Sequence, residues 1–276
     1  MKLLTLITLL LIATTSNCQY YYKDIIGSEQ TTNLLKAYKT NKVNRVVVTS
    51  YDGENTKMDE FYVEQQFTPE ALKTITRSNV SNESILISYI DANNRVTKTI
   101  DSSDVVTSYT NYTYNSDGLL LSTISSSADT GKTSTQTEQH IWQYQNRKPV
   151  SMLRIKNNND TTYIRFRVDD KGNVSEEQET HKGITAEPIY YYYDDNGRLT
   201  DIVAFSKRAK RLLPEYMFEY STANQVIQQI TVPDNSSQYT IWRYQYDDKG
   251  LKIKEAIYNK QKQLTGKLEY QYSFNQ

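Results

Sequence analysis

Three pairs of adjacent carboxylates, Asp169-Asp170, Asp194-Asp195 and Asp247-Asp248, are the first residues of this chain that invite a chemical reading. Glycosidases need two carboxyl groups about 5 to 9 Å apart. Clustered aspartates also bind calcium. All three pairs share one frame, however: Val168 or Tyr193 or Tyr246, then Asp-Asp, a polar residue and Gly. Asp favours turns because it hydrogen-bonds nearby backbone, so the frame predicts a repeated turn ahead of a site. His140 and His181 are the two histidines and lie far apart in sequence, and Cys18 is the single cysteine. A structural zinc set is excluded on ligand count. No Gly-x-Ser-x-Gly marks a nucleophile. The expectation is a protein without catalytic set, metal or cofactor.

Residues suited to binding are easier to name. The run Lys207-Arg208-Ala-Lys210-Arg211 is the densest charge cluster and would suit an anionic glycan, a lipid headgroup or a protein partner. A solvated loop is the plain alternative. Trp142 and Trp242 would stack on sugar rings if exposed in a cleft, or else pack in a core. Arg165 and Arg167 alternate with Ile164, Phe166 and Val168, so the two arginines share one face, either a lumen wall or an outer one. Tyr190 and Tyr192 lie on the face opposite Tyr191 and Tyr193.

These candidates sit in a repeat. Anchors at Phe67, Ile90, Tyr114, Tyr144, Val168, Tyr193, Tyr220, Tyr246 and Tyr272 recur at roughly 25-residue spacing. An aromatic stands two residues before most anchors (Tyr112, Trp142, Phe166, Tyr191, Phe218, Tyr244, Tyr270) with a polar residue between, which is the period of a half-buried strand. Four residues after come Asn94, Gly118, Gly172, Gly197, Asn224 or Gly250, residue types that tolerate positive φ. An aliphatic returns at six. Each unit reads strand, tight three-residue turn, strand, looser connection. With Arg45–Ser50 added, about 18 strands result, too many for an open twisted sheet. The predicted fold is all-β: an antiparallel meander forming a closed wide barrel or a strongly curled sheet. The interior would be too wide for wall side chains to fill. Ahead of it, Ser28 to Tyr38 predicts one short helix with Ser28 as N-cap, set to plug the barrel or to pack outside it.

The segments are therefore residues 1–18, a leader; 19–44, the helical segment; and 45–276, the repeat domain. Lys2 followed by the apolar run Leu3–Ala13 has signal-peptide length and cannot span a bilayer. Cys18 follows it where a lipoprotein carries its lipidated cysteine, although Asn17 departs from the small residue usual there. Export is expected either way: periplasmic, anchored at the outer membrane through Cys18, or secreted. The sequons at Asn79, Asn82, Asn111, Asn159, Asn173 and Asn235 are read as products of composition.

The motif Tyr193-Asp-x-x-Gly197-Arg-Leu199 resembles the YD repeat of RHS-type proteins, and the resemblance runs from about Phe67 to Phe274. The leader, the helix and the Tyr-Asp-x-x-Gly hairpins together are similar to exported Bacteroidota proteins with a soluble porin-like β-barrel fold. That resemblance implies fold and address, and no activity. The charge balance of 32 basic and 32 acidic residues speaks against nucleic acid. Two function classes remain: an envelope binding module for a glycan, peptide or envelope protein, and a scaffold without ligand. The tail Tyr270, Tyr272, Phe274 raises a third, a membrane barrel, against a mean hydropathy of −0.70. The chain is expected to be a monomer.

Overall fold

The computed structural model describes residues 20–78, 83–103, 106–129, 135–233 and 236–276. The leader, Cys18 and the sequons at Asn79, Asn82 and Asn235 fall outside them. Helix α1 (Lys23–Thr40) leads into β1 (Val43–Asp52), β2 (Lys57–Phe67), β3 (Ala71–Ser78), β4 (Ser84–Ile90), β5 (Val96–Ser102), β6 (Val106–Tyr114), β7 (Leu120–Asp129), β8 (Thr135–Gln145) and β9 (Lys148–Lys156). Then follow β10 (Asp160–Val168), β11 (Val174–His181), β12 (Ile184–Thr185), β13 (Ile189–Tyr193), β14 (Leu199–Ser206), β15 (Arg211–Tyr220), β16 (Val226–Thr231), β17 (Thr240–Tyr246), β18 (Lys252–Tyr258) and β19 (Leu264–Phe274). Every strand pairs antiparallel with its sequence neighbour, except that β11 pairs with both the two-residue β12 and β13. β1 pairs with both β2 and β19, so the sheet closes. β12 is a side ladder on β11, which leaves an 18-strand barrel.

One end of the barrel is built from the repeated turn. In six copies the first turn residue (Asp91, Asn115, Asp169, Asp194, Ser221 or Asp247) accepts, on its side-chain oxygen, the N–H four residues on, at 2.7–3.3 Å. Its carbonyl accepts the N–H of Asn94, Gly118, Gly172, Gly197, Asn224 or Gly250, all at positive φ. The first Asp of each pair is thus spent on backbone, while Asp170, Asp195 and Asp248 are exposed. The copy at Tyr144 differs: its turn is two residues, Asn146 and Arg147, both at positive φ, as a type I′ hairpin requires.

The anchor tyrosines also join neighbouring repeats. Tyr114, Tyr144, Tyr193, Tyr220, Tyr246 and Tyr272 donate their hydroxyls, at 2.7–3.0 Å, to the carbonyls of Val96, Leu120, Val174, Leu199, Val226 and Lys252. Each acceptor lies six residues after the preceding anchor. Tyr220→Phe should cost about 1 kcal/mol, because a half-buried carbonyl loses its donor. Tyr192→Phe, half exposed, should stay within about 0.5 kcal/mol. Urea midpoints of the two variants test this; equal effects would remove the hydroxyl ladder from the account.

The aromatic face is the inner one. On β10, Thr162, Ile164 and Phe166 are buried, while Tyr163, Arg165 and Arg167 are exposed. Helix α1 lies within this lining. Its segment reaches Glu177 on β11, His140 on β8, Tyr114 on β6, Gln65 on β2 and the carbonyl of Lys249 in the β17–β18 turn. These partners surround the ring, and only an element inside it meets them all. The plug reading holds, and a helix packed outside is excluded. The helix starts at Lys23 rather than at Ser28, and Ser28 sits inside it bonded to Tyr114. Two apolar clusters flank the helix. Tyr21 joins Trp142, Phe166 and Tyr191 at its start. Leu35 and Tyr38 join Val46, Val63, Leu72 and Leu268 at its end. A barrel of this strand count has a lumen that needs such filling.

Candidate functional site

Among the described residues, a buried place and an open one combine polar side chains from the helix and the wall with confinement. The first is buried, at the helix start. Glu177 is 2% exposed and accepts the backbone N–H groups of Tyr21 and Tyr22, at 2.7 and 2.9 Å, and the hydroxyl of Tyr191 at 2.7 Å. A carboxylate from the barrel wall therefore holds the N–H groups of Tyr22, the N-cap residue, and of Tyr21 before it, and sits at the positive end of the helix. Nearby, His140 Nδ1 lies 2.5 Å from Asp24 and its Nε2 lies 2.9 Å from Glu138. Arg154 lies 2.8 Å from the same Glu138. Two cations and two carboxylates balance. Burial alone would lower the His140 pKa, but hydrogen bonds to Asp24 and Glu138 outweigh it and raise it to about 9. The His140 hydrogen bond, with help from Arg154, lowers Glu138 to about 2. Burial pushes Glu177 up to about 7 against the opposing pull of its hydrogen bonds. The cluster ties the helix to the wall.

The second place is open to solvent. A cleft of about 590 Å³ lies at the tight-turn rim, between α1 and the turns β4–β5 and β6–β7. The helix contributes Ser28, Glu29, Thr32, Asn33 and Lys36, positions that fall on one face at a period of 3.6. The turns contribute Asn93, Arg95 and Tyr114 to Gly118. Arg95 is held by Asp91 at 2.7 Å and stands 4.7 Å above the Tyr114 ring. Amides, hydroxyls and a fixed guanidinium make this a surface of hydrogen-bond donors and acceptors. It suits recognition of a polar molecule.

The residues singled out from sequence do not meet there. Trp142 is 2% exposed and stacked on Phe166 with ring centroids 5.2 Å apart, so burial denies it to a sugar. Trp242 is half-buried, on the same face as Tyr244 and opposite Gln229 and Ile257. Arg165 and Arg167 face outside, near Gln178 and Glu176 respectively, which decides for the outer of the two walls open to them. Tyr190 and Tyr192 are also outward, opposite Val203 and Asp201. Lys207, Arg208, Lys210 and Arg211 do lie together, exposed on the β14–β15 hairpin at the end of the barrel away from the cleft. Among the described residues, no three His, Cys, Asp or Glu side chains gather as a metal site. Glu177, Asn33 and Arg95 escaped the sequence reading, which weighed His140 only for metal or catalytic chemistry. Arg95 alone left a signal, the Asp-x-x-x-Arg spacing it shares with Asp194 and Arg198.

No protein-family model matches the chain, so the YD-repeat likeness remains one of motif. No curated protein matches it either. Among solved structures, a porin-like protein from Bacteroides uniformis shares 8% identity, with 84% of this chain and 97% of that chain covered at a TM-score of 0.39. A porin-like protein from Bacteroides vulgatus shares 11%, with 84% and 98% covered at 0.28. A TcdB2-TccC3 structure shares 11%, with 82% and 16% covered at 0.32. At such identities and TM-scores, these likenesses assign the chain to no family.

Proposed function

We propose that this chain is an exported cell-envelope protein, without catalysis of its own, whose plugged barrel acts as a monomeric binding module. The observation that carries the reading is the polar cleft at the tight-turn rim, where helix and hairpins bring amide, hydroxyl and guanidinium groups together. Its chemistry favours an oligosaccharide or a polar peptide. A membrane-spanning barrel fits less well. Outward rows such as Tyr109, Ile124, Ile141, Leu153 and Tyr163 form a belt one or two residues tall. Flanking outward positions are Asn111, Gln139, Ser151 and Arg165. That belt is about 7 Å high, where a lipid-facing band is about 25 Å.

A thermal-shift screen of Gln19–Gln276 against oligosaccharides, peptidoglycan fragments, short peptides and Ca²⁺ tests the reading. A ligand at 100 times its Kd stabilises by about 2.7 kcal/mol, a shift of several degrees for a domain of this size. The shift should vanish in Asn33→Ala/Asn93→Ala, which leaves the fold's ladders intact. No shift with any class would favour a scaffold, a reading consistent with the filled lumen.

A further inference from the structure

The end of the barrel away from the cleft has a different surface. The β14–β15 hairpin carries Phe205 and Leu212, which face each other across the ladder and are 38% and 45% exposed. Between them project Lys207, Lys210 and Arg211, all exposed. Ile184, 76% exposed, stands on β12, which continues the column of β13 beside this hairpin. Directly behind, Arg208 and Ala209 edge a second cleft of about 400 Å³, walled mostly by Ala204, Leu213, Pro214 and Val232, with Glu215 and three serines as its polar part.

We infer that this end docks on an anionic lipid surface. Large apolar side chains at a hairpin tip are costly in water and gain by entering the headgroup boundary. Lysine and arginine stems reach past such side chains and keep their charges at headgroup level. Among the described residues, Lys207, Lys210 and Arg211 form no salt bridge, which suits their charges to phosphates. The apolar cleft behind them offers room for part of an acyl chain. A polyanionic glycan would account for the cations, but not for Phe205, Leu212 and the apolar cleft. The lipid contact is independent of the polar cleft at the opposite rim.

Co-sedimentation of Gln19–Gln276 with phosphatidylcholine vesicles, with and without phosphatidylglycerol, tests the inference. Binding is expected to the anionic vesicles alone and to weaken with salt. Each cation near such a surface is worth roughly fivefold in partition, so K207Q/K210Q/R211Q should lose about 100-fold. F205S/L212S should weaken binding at every salt concentration. Unchanged thermal unfolding shows that both variants fold, and unchanged ligand shifts at the polar cleft keep the two sites separate. Equal binding to neutral vesicles, no binding to either, or full binding by the triple variant would overturn the proposal. Dextran sulfate binding that F205S/L212S leaves intact, with vesicle binding absent, would overturn it in favour of a polyanionic glycan.

Discussion

Replacing Glu177 by alanine is expected to lower stability by about 3–5 kcal/mol, because three donors, two of them buried, lose their acceptor at once. The N–H groups of Tyr21 and Tyr22 and the hydroxyl of Tyr191 all end on this one carboxylate. Neither Tyr21 nor Tyr191 has solvent to turn to, since both are buried. Glu177→Gln keeps one acceptor oxygen and removes the cost of a buried charge, so its loss should be clearly smaller. Urea unfolding gives the difference, and hydrogen exchange locates it. Amides of the first helical turns, Lys23 to Gly27, should exchange faster well before those of β10 and β13. A loss below about 1 kcal/mol would mean that Glu177 does not pin the helix, and the account of the plug would fail at that point.

Stability should also fall as pH rises from about 5 to 9. His140 keeps its proton in the folded chain up to about 9, against an ordinary value of 6.5. Its contribution is complete below 6.5 and is lost as pH climbs through 9, an effect of about 3 kcal/mol. Glu177, raised to about 7 from 4.5, acts in the same direction. The folded state favours its protonated form, so its contribution is complete below 4.5 and is lost by about pH 7. Glu138 has the opposite sign: lowered to about 2, it contributes above 4.5 and is lost as pH falls through 2. The three groups together place the maximum on the mildly acidic side. Urea midpoints across that range test the profile. His140→Gln should flatten the alkaline limb and Glu177→Gln the limb below 7. A wild-type profile that rises from pH 5 to 9 would refute both assignments.

The two clefts and the buried cluster were differently legible. The basic hairpin could be read directly, because Lys207 to Arg211 are contiguous and a charged run between strands has to lie on a surface. The polar cleft could not. Asn33 and Lys36 come from the helix, while Asn93, Arg95 and Asn115 come from two separate turns. Nothing in their spacing records that the helix enters the lumen. The same holds for Tyr21 with Glu177, 156 residues apart, and for Asp24 with His140, 116 apart.

What the sequence by itself determined is the local repeat and, through its count, a large antiparallel sheet that has to close or curl strongly. Alternation selects the strand, a residue tolerant of positive φ selects the turn, and both act within a few bonds. The count of such units left closure or strong curling as ways to protect the sheet edges, and the pairing of β1 with β19 decided for closure. The tertiary structure alone decided which face turns inward, where the helix goes and which polar groups meet. Burial of Trp142, exposure of Arg165 and the hold of Glu177 on Tyr21 and Tyr22 all depend on one event, the helix filling a lumen that wall side chains cannot fill. That event is a long-range packing choice, and no short stretch of residues encodes it. Ser28 would be an adequate N-cap for an isolated helix. In the barrel, a carboxylate from β11 fixes the chain at Tyr21 and Tyr22, and the helix begins five residues earlier, at Lys23.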